Sequence, residues 1–290
     1  MKDSEKMKKD LLYVFNDSNN TFKDDQIIIS MYIKKNYKKI CYMDLKEFSS
    51  IVTISENIIN DFLFQLGFSD YDGFRKDLRK FIMAELKTTK RFQLTMNNLE
   101  PQVKSVLNSV VEKEMQNLSN LLLSFDEKMF TSIVEDLINS NEIIVVATRS
   151  SMPIAIYVEY IFNRIGKKTR KIISCGTENF DPLVLADRDT VILAIGFARY
   201  SNDTLKILSF FKRRNFKIIS ITDNPLSPLS RFSDKTLCIP CDSNSFTDFY
   251  AVPICIINTI VTLISQLNKD ISLKYLNEFE NIAKELGFYF

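Results

Sequence analysis

From residue 141 onward the chain repeats one pattern: a short apolar run, then a longer segment with helical spacing. The runs are "EIIVVA" (142–147), "TRKIIS" (169–174), "TVILAIG" (190–196), "FKIISIT" (216–222) and "KTLCIP" (235–240). A helix is expected from near Ser151, a second over "SNDTLKILSFFKRR" (201–214), and an apolar one around 249–267. Strands that alternate with helices and are apolar along nearly their whole length predict a parallel sheet covered on both faces. Such a sheet binds ligands beyond the carboxyl ends of its strands, where helices begin.

The first ~85 residues lack this pattern and read as short helices. "DDQIIISMYIKKNYKKI" (24–40) carries Ile27, Met31, Ile28 and Tyr32 toward one side, with Lys38 and Lys39 in its last turn, where the helix dipole favours cations. "MDLKEFSSIV" (43–52) spaces Leu45, Phe48 and Val52 helically. In "TISENIINDFLFQLGF" (53–68), Thr53 and Glu56 have the T-x-x-E form of a capping box, with Ser55 as an alternative cap. Ile59, Phe62 and Leu63 face inward at i, i+3, i+4, and Gly67 suits the position just past the helix end. "YDGFRKDLRKFIMAEL" (71–86) follows as another amphipathic helix. Two short helices joined by a tight turn inside such a cluster form a helix-turn-helix. Residues 88–100 have no clear period and are the expected linker, and a long helical region follows over 101–139. The fold class is thus α + α/β. Residues 1–87 form an all-helical helix-turn-helix domain, 88–125 a linker and connecting helix, and 126–290 a five-stranded parallel sheet flanked by helices.

Composition excludes more than it identifies. The chain has no histidine, so Ser-His-Asp and Cys-His triads are impossible and the commonest acid/base near neutral pH is absent. No catalytic residue is therefore assigned and an enzyme is not expected. Cys238 and Cys241 form one CxxC. With no histidine and no second CxxC the four ligands of a zinc site are missing, so a structural role is expected, and no metal or cofactor. The start, "MKDSEKMKKD", lacks an apolar signal core, and "YAVPICIINTIVTLI" is short and interrupted for a membrane span. A cytoplasmic protein with reduced cysteines and no membrane partner is expected.

Candidate ligand residues come from the loops at the carboxyl edge, "ATRSS" (147–151), "GFARYS" (196–201) and "TDNPLSPLS" (222–230). Ser150, Ser151 and Ser201 have hydroxyls at expected helix starts, suited to a phosphate or to plain N-capping. Arg149 and Arg199 beside them can grip a phosphate or carboxylate through paired hydrogen bonds. Glu178, after the second strand, either accepts from sugar hydroxyls or begins a helix. Gly196 is the only glycine in the first two loops, so no dinucleotide fingerprint is present. For DNA, Ser55 opens the candidate reading helix. Asn57 and Asn60 suit adenine edges, and Ile58 a thymine methyl. Lys38, Lys39, Arg75 and Lys76 are left to hold phosphates. Between Asp44 and Phe74 there are six acidic residues and one basic, a net −5 that opposes DNA binding.

Over about 22–288 the chain resembles the RpiR/MurR family of transcriptional regulators. In the head the likeness rests on Ser55-Glu56, Phe62, Leu66-Gly67-Phe68 and Phe74. In the sheet region it rests on "FARYSNDTLKIL", "ITDNPLSPLSRFSDKTLCIP" and "SFTDFYAVPICIINTIVTLI". The resemblance implies a helix-turn-helix domain followed by a SIS (sugar isomerase) domain. It implies double-stranded operator DNA and a phosphosugar or similar anionic effector as partners, a homodimer or homotetramer, and a role in sugar metabolism. The family's first SIS loop usually reads Gly-x-Gly-x-Ser, and here it is Ala147-Thr148-Arg149-Ser150-Ser151, so only Ser151 carries over. The second is often Ser-Gly-x-Ser/Thr, and here it is Ala198-Arg199-Tyr200-Ser201, so Ser201 carries over. Arginine in place of small residues implies a more acidic or smaller ligand. At Asp61 the family typically has arginine. Two alternatives stay open: a SIS-domain binding protein whose helix-turn-helix no longer reads DNA and, further off, a sugar-phosphate isomerase.

Overall fold

The computed structural model describes Phe15, residues 22–84, 102–181, 183, 186–243 and 245–289, and isolated positions between 89 and 96, leaving aside the side chains of residues 80, 81, 83 and 84. Most of the expected linker lies outside the described residues. The chain forms two compact units. The first is Met1–Lys87 together with Asn224–Arg231; the second is Thr88–Asp223 together with Phe232–Phe290.

Among the described residues of the first unit four helices follow one another: α1 (Asp24–Ile40), α2 (Leu45–Val52), α3 (Glu56–Gln65) and α4 (Tyr71–Ala84). Asp44 caps α2, its Oδ1 accepting from the Glu47 N–H at 2.7 Å. Thr53 ends α2 in the left-handed region (φ 58). It therefore belongs to the preceding helix end, and the Thr53–Glu56 capping box does not form. Ser55 is the N-cap residue of α3, without a side-chain cap bond. Gly67 takes φ 91 just past the end of α3, as expected of a residue without a Cβ.

The core of this unit gathers Phe15, Ile29, Ile33, Ile40, Phe48, Ile59, Phe62, Leu63, Phe68, Tyr71, Phe74 and Leu78. The buried side of α1 is thus Ile29, Ile33 and Ile40. Of the face expected from sequence Tyr32 packs against this core, whereas Ile27 and Ile28 are exposed and Met31 is 63% exposed. Three consecutive isoleucines leave the phase of an apolar stripe undetermined, and packing selects the set spaced i, i+4, i+11. Leu226, from the distant Asn224–Arg231 segment, is fully buried in the same cluster. Asn224 fixes it there: its Nδ2 donates to the Asp77 carbonyl (2.9 Å) and its Oδ1 accepts from the Leu226 N–H (2.8 Å).

The second unit begins with α5 (Val103–Ser124) and α6 (Glu127–Asn139). Then come β1 (Glu142–Val146), α7 (Met152–Arg164), β2 (Thr169–Ile172), β3 (Thr190–Ile195), α8 (Asn202–Arg213), β4 (Lys217–Thr222), β5 (Lys235–Cys238), α9 (Ala251–Leu267) and α10 (Lys269–Leu286). All five expected strands are present and form one parallel sheet of order β2-β1-β3-β4-β5. β1 and β3 are buried along their whole length, which is why they read as continuous apolar runs. Their register pairs Val146 with Ala194, so their carboxyl ends lie side by side and the loops that follow share one edge. Among the described residues no single helix is long and apolar enough to cross a membrane.

Candidate functional site

A pocket of about 610 Å³ opens at the carboxyl edge of the sheet. The loop after β1 contributes Arg149 and Ser150. The loop after β3 and the start of α8 contribute Arg199, Tyr200, Ser201, Asn202 and Asp203. The loop between β5 and α9 contributes Phe246, Thr247, Asp248 and Tyr250.

Each loop is held in place by identifiable contacts. The buried hydroxyls of Thr148 and Thr204 are 2.9 Å apart, tying the first loop to the first turn of α8. Ser201 caps α8, its Oγ accepting from the Asp203 N–H at 3.3 Å. The start of α8, where Asn202 and Asp203 line the pocket, brings its positive dipole end to the site. The loop from β5 to α9 is clamped by α5. Asn117, fully buried, donates to the Asp242 carbonyl (2.8 Å) and accepts from its N–H (3.3 Å), and Glu114 accepts from the Ala251 N–H (3.1 Å). The Cys241 thiol donates to the Phe249 carbonyl (2.9 Å), and burial holds its pKa well above the ordinary thiol range, the opposite of a reactive cysteine.

Two tyrosines shape the electrostatics. The Tyr250 hydroxyl is pushed up to about 12, chiefly by burial, while hydrogen bonds with Ser150 and Ser151 pull the other way. It also donates to Asp248 Oδ2 at 3.5 Å. Tyr200 donates to Asp223 Oδ1 at 2.9 Å. Burial raises both groups, the Tyr200 hydroxyl far above its ordinary value and the Asp223 carboxyl above the usual carboxylate range. Both phenols stay protonated at neutral pH and act as hydrogen-bonding groups, not as bases.

Of the ligand residues expected from sequence, Arg149, Ser150, Arg199 and Ser201 line this pocket. Ser151 is buried behind it, against Tyr250. The 3₁₀ turn at Arg149–Ser151 presents Ser150 in its place. Glu178 is exposed and does not line the pocket, because the turn that carries it follows the edge strand β2. The "TDNPLSPLS" loop also departs from expectation: only Asp223 lies at the site, beneath Tyr200, and Asn224–Arg231 belong to the first unit. Sequence reasoning missed Tyr200, Asn202, Asp203, Phe246, Thr247, Asp248 and Tyr250. The same rule of strand carboxyl ends, applied to the fifth strand, points to "SFTDFY".

In the first unit α3 exposes Ser55, Asn57, Ile58, Asp61 and Phe64, the last at 72%. Asn60 is half-buried and its Oδ1 accepts from the Tyr71 N–H (3.0 Å), so that oxygen secures the α3–α4 corner and is withdrawn from base reading. Lys38, Lys39 and Lys76 are exposed. Arg75 is half-buried, paired with Asp72 at 3.2 Å and set over the Tyr71 ring. The head therefore presents cations on α1 and α4 and an uncharged-to-acidic surface on α3.

A helical head and a parallel sheet with a polar pocket at its carboxyl edge define the class. Residues 136–263 match the SIS domain family. Its likeness to RpiR-type regulators, drawn from sequence, is borne out in domain order and fold. A 24% identical relative, an uncharacterized HTH-type transcriptional regulator of Clostridium perfringens, aligns over 206 residues, 71% of this chain and 73% of that one. The solved sugar isomerase domain of the RpiR transcription factor from Sphaerobacter thermophilus has a similar fold, with a TM-score of 0.57 at 20% identity over 59% of this chain and 96% of that one. Vibrio vulnificus NanR, complexed with ManNAc-6P, has a TM-score of 0.55 at 15% identity and spans 95% of this chain and 98% of its own.

Proposed function

We propose that this chain is a DNA-binding transcriptional regulator whose SIS domain senses a phosphorylated sugar or a related anionic metabolite. The observation that carries the reading is the pocket itself. Ser150, Ser201 and the start of α8 supply neutral phosphate donors, and Arg149 and Arg199 supply charge. The relatives support it: one is an HTH-type transcriptional regulator, and NanR holds a phosphorylated amino sugar. The pocket has no histidine and its tyrosines are held protonated, which favours a sensor over a catalyst. The effector's message begins at the loop between β5 and α9, which α5 grips through Asn117 and Glu114, so that closure on a ligand shifts the helix.

In this reading Ser55, Asn57 and Ile58 approach bases, while Lys38, Lys39 and Lys76 hold phosphates and Arg75 contributes in part. The active form is a homodimer or homotetramer in the cytoplasm, its two heads on half-sites about one helical turn apart. Gel shifts with the DNA upstream of its own gene, with and without sugar phosphates, test this. A specific shift altered by one sugar phosphate is expected, and its absence with every upstream fragment defeats DNA recognition. A second reading, a SIS-domain binding protein whose head no longer reads DNA, is favoured by Asp61 and the 72% exposed Phe64 on the reading face. It predicts no binding even at low salt.

A further inference from the structure

We infer that the effector carries two anionic groups: a phosphoryl group on the serine donors and a second acid, a carboxylate or another phosphate, held between Arg149 and Arg199. This rests on the proposed phosphosugar reading of the pocket and narrows its ligand class.

The argument begins with the backbone. Arg149 adopts φ 59, a left-handed conformation that glycine enters freely and an ordinary side chain only at a cost. Nothing in a loop that merely joins β1 to α7 requires an arginine there. The residue nevertheless lines the pocket, and strain of this kind persists where a side chain has to be delivered to a site. The second arginine comes from the other side. β1 and β3 are hydrogen-bonded neighbours, so the loops bearing Arg149 and Arg199 are adjacent and both side chains line one cavity. The phosphoryl group is already provided for by Ser150, Ser201 and the start of α8, donors that carry no formal charge. Two guanidinium groups are permanently charged and shaped for two-point contact with a carboxylate or phosphate. Asp203 and Asp248 line the same pocket and carry the opposite charge. A second acid on the ligand pairs with the arginine forks and leaves the aspartates to accept from sugar hydroxyls.

Calorimetric titration of the full chain tests this with matched pairs: glucose 6-phosphate against 6-phosphogluconate, erythrose 4-phosphate against 4-phosphoerythronate, and fructose 6-phosphate against fructose 1,6-bisphosphate. The first two pairs differ in a carboxylate and the third in a phosphate, so the preferred pair identifies the second group. At least one doubly acidic member is expected to bind tenfold or more tightly than its partner. Arg149→Gly, which suits φ 59, is expected to keep the melting temperature and to bring that ratio close to one. Arg149→Lys, which keeps the charge and loses the fork, falls between. Singly phosphorylated members that bind as tightly as their partners in every pair overturn the inference and leave the phosphosugar reading standing. No binding by any of the six overturns both.

Discussion

The two units solve the problem of a buried core in different ways. The helical unit fills its centre with rings: Phe15, Phe48, Phe62, Phe68, Tyr71 and Phe74, with Phe68–Phe74 centroids at 5.1 Å and Phe48–Tyr71 at 5.5 Å. The sheet unit fills its centre chiefly with Ile, Val, Leu and Ala from the strands and the helices that cover them, with few rings, Phe130, Phe162 and Phe197. Short helices meet at few points, and each contact must bury much area, which aromatic side chains supply at roughly 150–250 Å² apiece. Parallel strands bury a face residue by residue and need only β-branched side chains that suit the pleat. The consequence for function is a division of surfaces. The strand-end loops of the sheet unit shape a pocket, and among the described residues the outer face of α3 in the helical unit is exposed.

The sharpest way to break this comparison is to remove one ring. Phe74→Ala deletes a fully buried side chain in contact with Phe15 and Phe68, at a cost of about 3–5 kcal/mol. Calorimetry is expected to show the melting of the helical unit displaced strongly downward and that of the sheet unit in place. Equal displacement of both transitions means that the two cores unfold as one. Leu226→Ala applies the same logic to a residue that lies in sequence among the strands. It is expected to destabilise the helical unit by about 2–5 kcal/mol, the helical transition moving and the pocket's ligand affinity staying.

The sheet unit has its own weak point at acid pH. The Asp136 carboxylate is paired with Lys217 (2.7 Å) and Lys235 (2.6 Å). Burial alone raises its pKa, but the hydrogen bonds and charges of the two lysines overcome that and hold it below the ordinary value. A depressed carboxylate contributes stability that is present above about pH 3.9, its unfolded value, and is lost as the pH falls through the lower folded value. Asp136→Asn is expected to lower stability at pH 7 and to flatten the acid limb of the melting-temperature profile. An unchanged limb assigns acid sensitivity to other carboxylates.

Much of the fold was legible because fully buried parallel strands leave an unambiguous apolar signature, and all five runs became strands. The helical head was legible in its elements and less so in its contacts. The run Ile27-Ile28-Ile29 fits several helix phases, and Thr53 fits both a cap and a helix end, so only packing decides. The site was half legible. Arg149, Ser150, Arg199 and Ser201 follow strands directly and inherit their position from the sheet. Tyr250 and Asp248 reach the pocket only because α5 pins the loop between β5 and α9, a contact 125 residues apart in sequence at Asn117–Asp242. Glu178 follows the edge strand, and strand order is not written in the local pattern.

The smallest expected change in stability tests the surface on which the two readings of the head divide. Asp61 is exposed on α3, so Asp61→Arg is expected to change stability by less than about 0.5 kcal/mol. Its effect on DNA is a separate matter. Each phosphate newly neutralised on a duplex steepens the log–log salt dependence by about 0.9. If α3 lies in the groove with Asn57 and Ile58 toward the bases, an arginine at 61 stands one helical turn beyond Asn57 on the same side and reaches the backbone. Affinity is then expected to rise severalfold at low salt and to fall more steeply with added salt, measured by fluorescence anisotropy across a salt series. An unchanged slope means that this face of α3 does not approach DNA, and the exposed Ile58 and Phe64 are then better explained as contacts for a protein partner.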